Sequence, residues 1–145
     1  MPVYPLNHEV LASLTATRDP SKPVFMLNLW KFREHALYAP EHASLAGAPC
    51  SGREAATERY VDAIRPVMPQ QSDRYFMASV AGFVAGPIGE KGEEEKWDLV
   101  TIVRYETLQG FVDMVSSRKY IEEVEPHRLA GLEDFRLVAM DMIDL

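Results

Sequence analysis

Four stretches of this chain are apolar at almost every position, and strands of that kind need cover on both faces. They are VFMLNLWKF (Val24–Phe32), RYFMASVAGFVA (residues 74–85), DLVTIVRY (residues 98–105) and FRLVAMDMI (residues 135–143). Each is short and bounded by charged or turn-forming residues, which reads as a strand rather than a buried helix. An antiparallel sheet with helices on one face and water on the other should alternate apolar and polar residues. These strands do not alternate. Their second face therefore calls for a partner, and a second copy of the chain is the simplest one. The expectation is a homodimer with sheets packed face to face.

The segments between the strands carry helix signals. Residues 6–17 read as a helix capped by Asn7, with Val10, Leu11 and Leu14 on one side. Asp19-Pro20 and Lys22-Pro23 end it. Ser51-Gly52-Arg53-Glu54 matches a capping box, followed by Ala56, Tyr60, Ala63, Ile64 and Val67 on one face. Thr107 caps a helix through Ser116, and Ser117 or its neighbours restart it to about Leu132, with a kink expected near Glu122 to Pro126. Gly82 suggests a bulge in the second strand. Residues 33–50 have no periodicity, and a loop of that length is often a functional lid or a mobile segment. The order is βαββαβ, a ferredoxin-like α+β arrangement of residues 24–143 behind a helical extension over residues 1–20, in one domain.

Composition enters through what it disfavours. With 15 basic and 22 acidic side chains the net charge is −7, which works against nucleic-acid binding and gives no support for an anionic membrane partner. No apolar run approaches the roughly eighteen residues of a membrane span, and the first residues show no secretory signal. The single cysteine, Cys50, allows no internal disulfide and suits a reducing compartment. The expected location is cytoplasmic.

Several short motifs, in order, resemble the DUF1330 family of the dimeric α/β-barrel superfamily. They are Asn28-Leu29; Ser51-Gly52-Arg53-Glu54-Ala55 with Arg59-Tyr60; Trp97-Asp98-Leu99-Val100; and Val103-Arg104-Tyr105. Phe111, Met114, Tyr120, His127-Arg128 and Leu132-Glu133-Asp134 continue the series, so the resemblance covers roughly residues 24–140. The N-terminal helix lies outside the short form of that family, and Ser72-Asp73 stands where two glycines are often found. The resemblance implies a ligand cavity between sheet and helices. Relatives in the superfamily include cofactor-free monooxygenases, isomerases, decarboxylases and haem-binding proteins, and fold alone does not choose among them.

Individual polar residues supply candidates. Asn28 is the one uncharged polar residue of its strand; it either ties the strand to a neighbouring loop or presents an amide to a carbonyl or enolate oxygen. Ser117, Tyr120, Ile121, Val124, Arg128 and Gly131 share a stripe with His127 at its edge. Arg128 on that apolar side needs a carboxylate, with Asp98, Asp141 and Glu54 as internal candidates, or an anionic ligand. His127 is either a general base or a half-exposed histidine after a proline. Arg104, at a strand end, either meets ligand or pairs with Glu106 or Glu54. His35 and His42 lack the clustered carboxylates or thiolates of a metal site, and none is expected.

Two ligand-binding functions remain open, besides a purely structural dimer with no ligand. One is a small cofactor-independent enzyme acting on an aromatic or polyketide-like substrate, with His127, Arg128 and Asn28 as its catalytic residues. The other is a non-catalytic dimer binding an apolar or acidic metabolite, or haem through a histidine. In both, Trp30, Tyr60, Arg104 and Tyr120 are the expected ligand contacts, beside a pocket bordered by residues 33–50.

Overall fold

The computed structural model describes residues 6–93 and 95–144. Helix α1 is His8–Thr17, with the Asn7 side chain accepting from the Val10 amide at 3.1 Å. Strands β1 (Val24–Phe32), β2 (Asp73–Ser79), β3 (Leu99–Tyr105) and β4 (Leu132–Met140) form one sheet in the order β2-β3-β1-β4, every neighbouring pair antiparallel. Helix α2, residues 52–67, joins β1 to β2. Helices α3 (Leu108–Ser116) and α4, residues 120–131, join β3 to β4. The fold is thus α+β, a four-stranded antiparallel sheet with helices.

The register separates two faces. Val24, Met26, Asn28 and Trp30 alternate along β1 with Phe25, Leu27 and Leu29. Val24 and Met26 join a core with Tyr105, Phe111, Met114, Tyr120 and Val124; Leu11 of α1 closes one end. The other face carries Phe25, Leu27, Leu29, Val100, Ile102 and Val138, so both faces are apolar. Val138 and Phe76 remain about half exposed.

Both long helices contain a π turn, Ala55–Arg59 in α2 and Tyr120–Val124 in α4. They cross closely because Gly52 and Gly131 lack side chains. A Cβ on Gly131 would lie 2.3 Å from the Gly52 carbonyl oxygen and 2.7 Å from the Ala56 nitrogen. The expected kink before Pro126 takes the form of the second π turn. Pro126 then sits in the first turn of the regular helix, where its missing donor costs nothing. Of the caps, Ser51 accepts from the Glu54 amide at 3.0 Å, Thr107 from Gly110 at 3.0 Å and Ser117 from Tyr120 at 3.2 Å.

Several expectations are corrected. β2 ends at Ser79 rather than continuing to residue 85, so Gly82 lies outside the strand and has open space where a Cβ would go. The bulge of β2 falls at Tyr75 instead: Arg74 faces Val103 and Phe76 faces Ile102, leaving Tyr75 between them. β4 starts at Leu132, directly off α4, because Phe32, Lys31 and Trp30 are still available as pairing partners there; it stops at Met140. Val10 is half exposed, since Leu11 alone of α1 is fully buried. Residues 33–50 are pinned rather than loose. Arg33 and Leu37 amides donate to the Gly131 and Ala130 carbonyls at 2.8 and 2.9 Å, and Ala36 donates to Cys50 at 3.0 Å.

Candidate functional site

Between the inner sheet face and helices α2, α3 and α4 lies a cavity of about 400 Å³. That volume is within the range of small-molecule sites, on the order of 300–1,000 Å³. Its walls are mostly apolar, from Met26, Val103, Phe111, Met114, Met77 and Leu137. The buried lining residues, Arg128, Tyr120, Trp30, Tyr105 and Thr101 among them, form its floor. The exposed ones, Arg65, Asp73, Arg74 and Met77, mark a mouth between the end of α2 and edge strand β2.

The floor is polar in a specific way. Arg128 is 4% exposed and donates to Glu125 at 3.2 Å, one turn back on α4. Its guanidinium also stands 4.6 Å above the Phe135 ring. Glu125 is thus its partner, in place of the expected Asp98, Asp141 or Glu54. Asp98 instead accepts from the Phe32 amide at 2.8 Å, and Asp141 holds Arg18. Burial works against the charge on Arg128, but Tyr120, Tyr60 and Glu125 outweigh it and the guanidinium is held more firmly protonated than usual. The Tyr60 and Tyr120 hydroxyls are 3.0 Å apart. Burial, then the neighbouring Tyr120, pushes the Tyr60 phenol well above its usual range, and burial raises Tyr105 too. Both phenols are therefore neutral hydrogen-bonding groups at physiological pH.

Three buried polar atoms on residues lining this cavity have no hydrogen-bond partner among the described residues: Arg128 Nε, Trp30 Nε1 and Ser72 Oγ. Such orphans cost roughly 1–3 kcal/mol each, and buried polar groups are ordinarily satisfied. Asn28 lines the cavity as well, although its amide is engaged, donating to Met26 O at 3.3 Å and Thr101 O at 3.5 Å across to β3.

Five of the sequence candidates, Asn28, Trp30, Tyr60, Tyr120 and Arg128, thus converge on one cavity. Two do not. Arg104 points to the opposite sheet face and pairs with Glu106 at 3.4 Å. His127 turns away from the cavity to the other side of α4, where its Nδ1 lies 2.7 Å from the Tyr38 hydroxyl. Arg59 donates to that hydroxyl at 3.4 Å and binds the Ala46 and Ala48 carbonyls, the latter at 2.7 Å. This cluster clasps residues 33–50 against the helices, and none of those residues lines the cavity. The expected pocket border is therefore corrected to α2 and β2. Burial, and then the Arg59 charge, lower the His127 pKa, so the ring favours its neutral form in the clasp.

Sequence reasoning missed Thr101, Arg74 and Ser72. Thr101 and Arg74 became visible only once the register placed them on the inner face; Thr101 Oγ1 donates to Phe76 O at 2.9 Å. Among the described residues no group of three or more His, Cys, Asp or Glu side chains is placed to hold a metal, and no helix is long and apolar enough to cross a membrane.

No family model matches the chain, and no curated protein matches it. Two solved structures do. One is a crystal structure of RPA0582, a protein of unknown function from Rhodopseudomonas palustris, 28% identical over all of both chains with a TM-score of 0.78. The second is methylated RPA0582, 29% identical over 99% of this chain and 98% of that one, also with a TM-score of 0.78. The chain is therefore closely similar in fold to a protein whose function is unknown.

Proposed function

We propose that this chain binds a small, largely apolar molecule bearing a carbonyl or acidic oxygen in the cavity between sheet and helices. The observation that carries this is Arg128: a buried cation with one unpartnered donor among the described residues, set beside the Tyr60 and Tyr120 hydroxyls in an otherwise apolar chamber. A cation kept in such a place needs compensation beyond one carboxylate. Asn28 and Tyr60 orient the ligand from the sheet and from α2, and Trp30 and Tyr120 complete the floor.

Binding is better supported than turnover. The enzymatic alternative gave proton transfer to His127, which lies outside the cavity and already engages Tyr38. No histidine lines the cavity either, so its residues do not fit a histidine-ligated haem. The remaining polar groups hold and orient; they supply no base suited to neutral pH.

The same reading includes a ferredoxin-like protomer of the DUF1330 type, paired with a second copy through the outer sheet face and working in the cytoplasm without nucleic-acid or membrane partners. What supports the pairing is that Leu27, Leu29, Val100, Ile102 and Val138 lie side by side on the outer face between Arg104 and Arg136, apolar side chains that the protomer alone leaves partly open to water. What supports the family is the motif series along residues 24–140 and the strand order β2-β3-β1-β4.

Native mass spectrometry of the purified protein, followed by denaturing spectra, tests both parts. A dimer carrying an additional small acidic or carbonyl-containing mass is expected. A protein that takes up no such compound, when a panel of aryl and alkyl acids and ketones is offered, would overturn the binding reading. A monomer at micromolar concentration would overturn the pairing alone.

A further inference from the structure

The two ends of the cavity are electrostatically different, and the difference specifies a ligand and its orientation. At the floor, Arg128 already has a carboxylate, Glu125, at 3.2 Å, and is flanked by the Tyr60 and Tyr120 hydroxyls. A second carboxylate there would have to be stripped of water and placed near Glu125, which is unfavourable. The floor therefore suits a neutral oxygen, a carbonyl or hydroxyl, that can take hydrogen bonds from guanidinium and phenols.

The mouth has the opposite character. Arg65 is already balanced by Asp62 at 3.4 Å. Among the described residues Arg74 has no carboxylate partner; its polar contact there is the weak acceptor Met77 Sδ at 3.6 Å. Asp73, next to it, stands opposite Arg104 on β3.

The placement of Arg74 is a product of the β2 bulge. Met77 faces Thr101 and Phe76 faces Ile102, so unbroken pairing would put Tyr75 opposite Val103, on the cavity side. With Tyr75 as the extra residue, Arg74 takes that position. Tyr75 instead packs edge-on to Phe25 of the outer face at 5.3 Å. Bulges commonly re-aim side chains beside functional sites. Here one exchanges an aromatic ring for a cation at the cavity mouth.

We infer that the cavity takes an elongated monocarboxylic acid whose far end carries a carbonyl or hydroxyl oxygen, with that oxygen at Arg128 and the phenols and the carboxylate at Arg74. The apolar middle of such a molecule runs past Met26, Met77, Met114 and Phe111. This rests on the binding reading above and deepens it by fixing which end goes in first.

The test uses hexanoic acid carrying a terminal para-hydroxyphenyl group, and its primary amide, titrated calorimetrically into the full-length protein. The wild type should bind the acid on the order of fivefold more tightly than the amide, the size of one partly solvated ion pair. Arg74→Ala should abolish that preference by weakening the acid alone, and Arg74→Lys should restore most of it, which a merely structural role for Arg74 would not produce. An acid preference that survives Arg74→Ala, or that is absent in the wild type, overturns this inference and leaves the cavity reading standing. A preference lost in Arg128→Met but kept in Arg74→Ala means the acid enters head first, which also overturns it. If the wild type binds neither compound, the cavity reading fails and the inference with it.

Discussion

Replacing Arg128 by methionine separates a residue kept for a ligand from one kept for the fold. The side chain is 4% exposed, so holding its charge in the interior costs several kcal/mol. One carboxylate at 3.2 Å returns about 5 kcal/mol at an effective dielectric near 20. That figure is discounted because the Glu125 side chain is 24% exposed. The Phe135 face at 4.6 Å adds about 1 kcal/mol. These terms nearly cancel. Methionine fills similar space, and Glu125 keeps access to water when its partner leaves. Arg128→Met should therefore change stability by no more than about 1 kcal/mol in either direction, about 3 °C in Tm. Binding of the hydroxyphenyl hexanoic acid should fall by a factor of about ten or more, since a charge-assisted donor is lost from a desolvated site. Urea unfolding and calorimetric titration of the same preparation give both numbers. A loss of about 3 kcal/mol or more with affinity intact would show that Arg128 serves the fold, and the reasoning would be refuted.

The other predictions concern the frame around the cavity. Gly131→Ala drives a methyl group into the Gly52 carbonyl and the Ala56 nitrogen, both backbone, so the helix crossing must open; a loss of about 3 kcal/mol is expected in urea unfolding. The clasp at His127 should make stability fall on acidification. Its folded pKa lies below its unfolded value of 6.5, so the neutral form's stabilisation is complete above pH 6.5 and is lost as pH drops through the folded pKa. His127→Gln should flatten the stability change between pH 7.5 and pH 5, and an unchanged slope would remove His127 from that role. On the outer sheet face, Val138→Glu should convert a dimer to a monomer by size-exclusion chromatography without lowering protomer helicity, because Val138 is already 45% exposed in the protomer.

How much of this was legible in the sequence depended on whether local chemistry or long-range pairing decided the outcome. Caps were legible because they act within four residues: Asn7, Ser51, Thr107 and Ser117 all accept the amide that their side chains imply. β1 and β3 were legible because their apolar runs are buried between neighbours on both sides. β2 was overextended because residues 80–85 look like a strand but sit at a sheet edge: the ladder with β3 ends at Ser79 opposite Leu99, and beyond it Val80 donates once to the Asp98 carbonyl at 3.0 Å. β4 was started late because Leu132-Glu133-Asp134 carry helix-like polarity, and only the bulge near Lys31 and Phe32 lets β1 accept them.

The site was only partly legible, for a reason that also explains where His127 ended up. Counting 3.6 residues per turn puts Tyr120, Ile121, Val124 and Arg128 on one stripe with His127 beside it. The π turn at Tyr120–Val124 fits an extra residue into the helix, so the count drifts: Ile121 is turned out, 48% exposed, while Tyr120, Val124 and Arg128 stay buried at intervals of four. His127 is carried to the side where Tyr38 and Arg59 wait, so adjacency in sequence becomes separation in function. π turns recur at functional sites because they reposition side chains at the expense of helix regularity. In this chain both π turns lie on the two helices that roof the cavity, and the β2 bulge lies at its mouth. Each is an irregularity close in sequence to a residue, Tyr60, Arg128 or Arg74, that lines the cavity. Three such departures from regular geometry around one apolar chamber are hard to account for by packing alone, which regular helices and an unbroken ladder would serve better. They are accounted for if the chamber is shaped around a molecule.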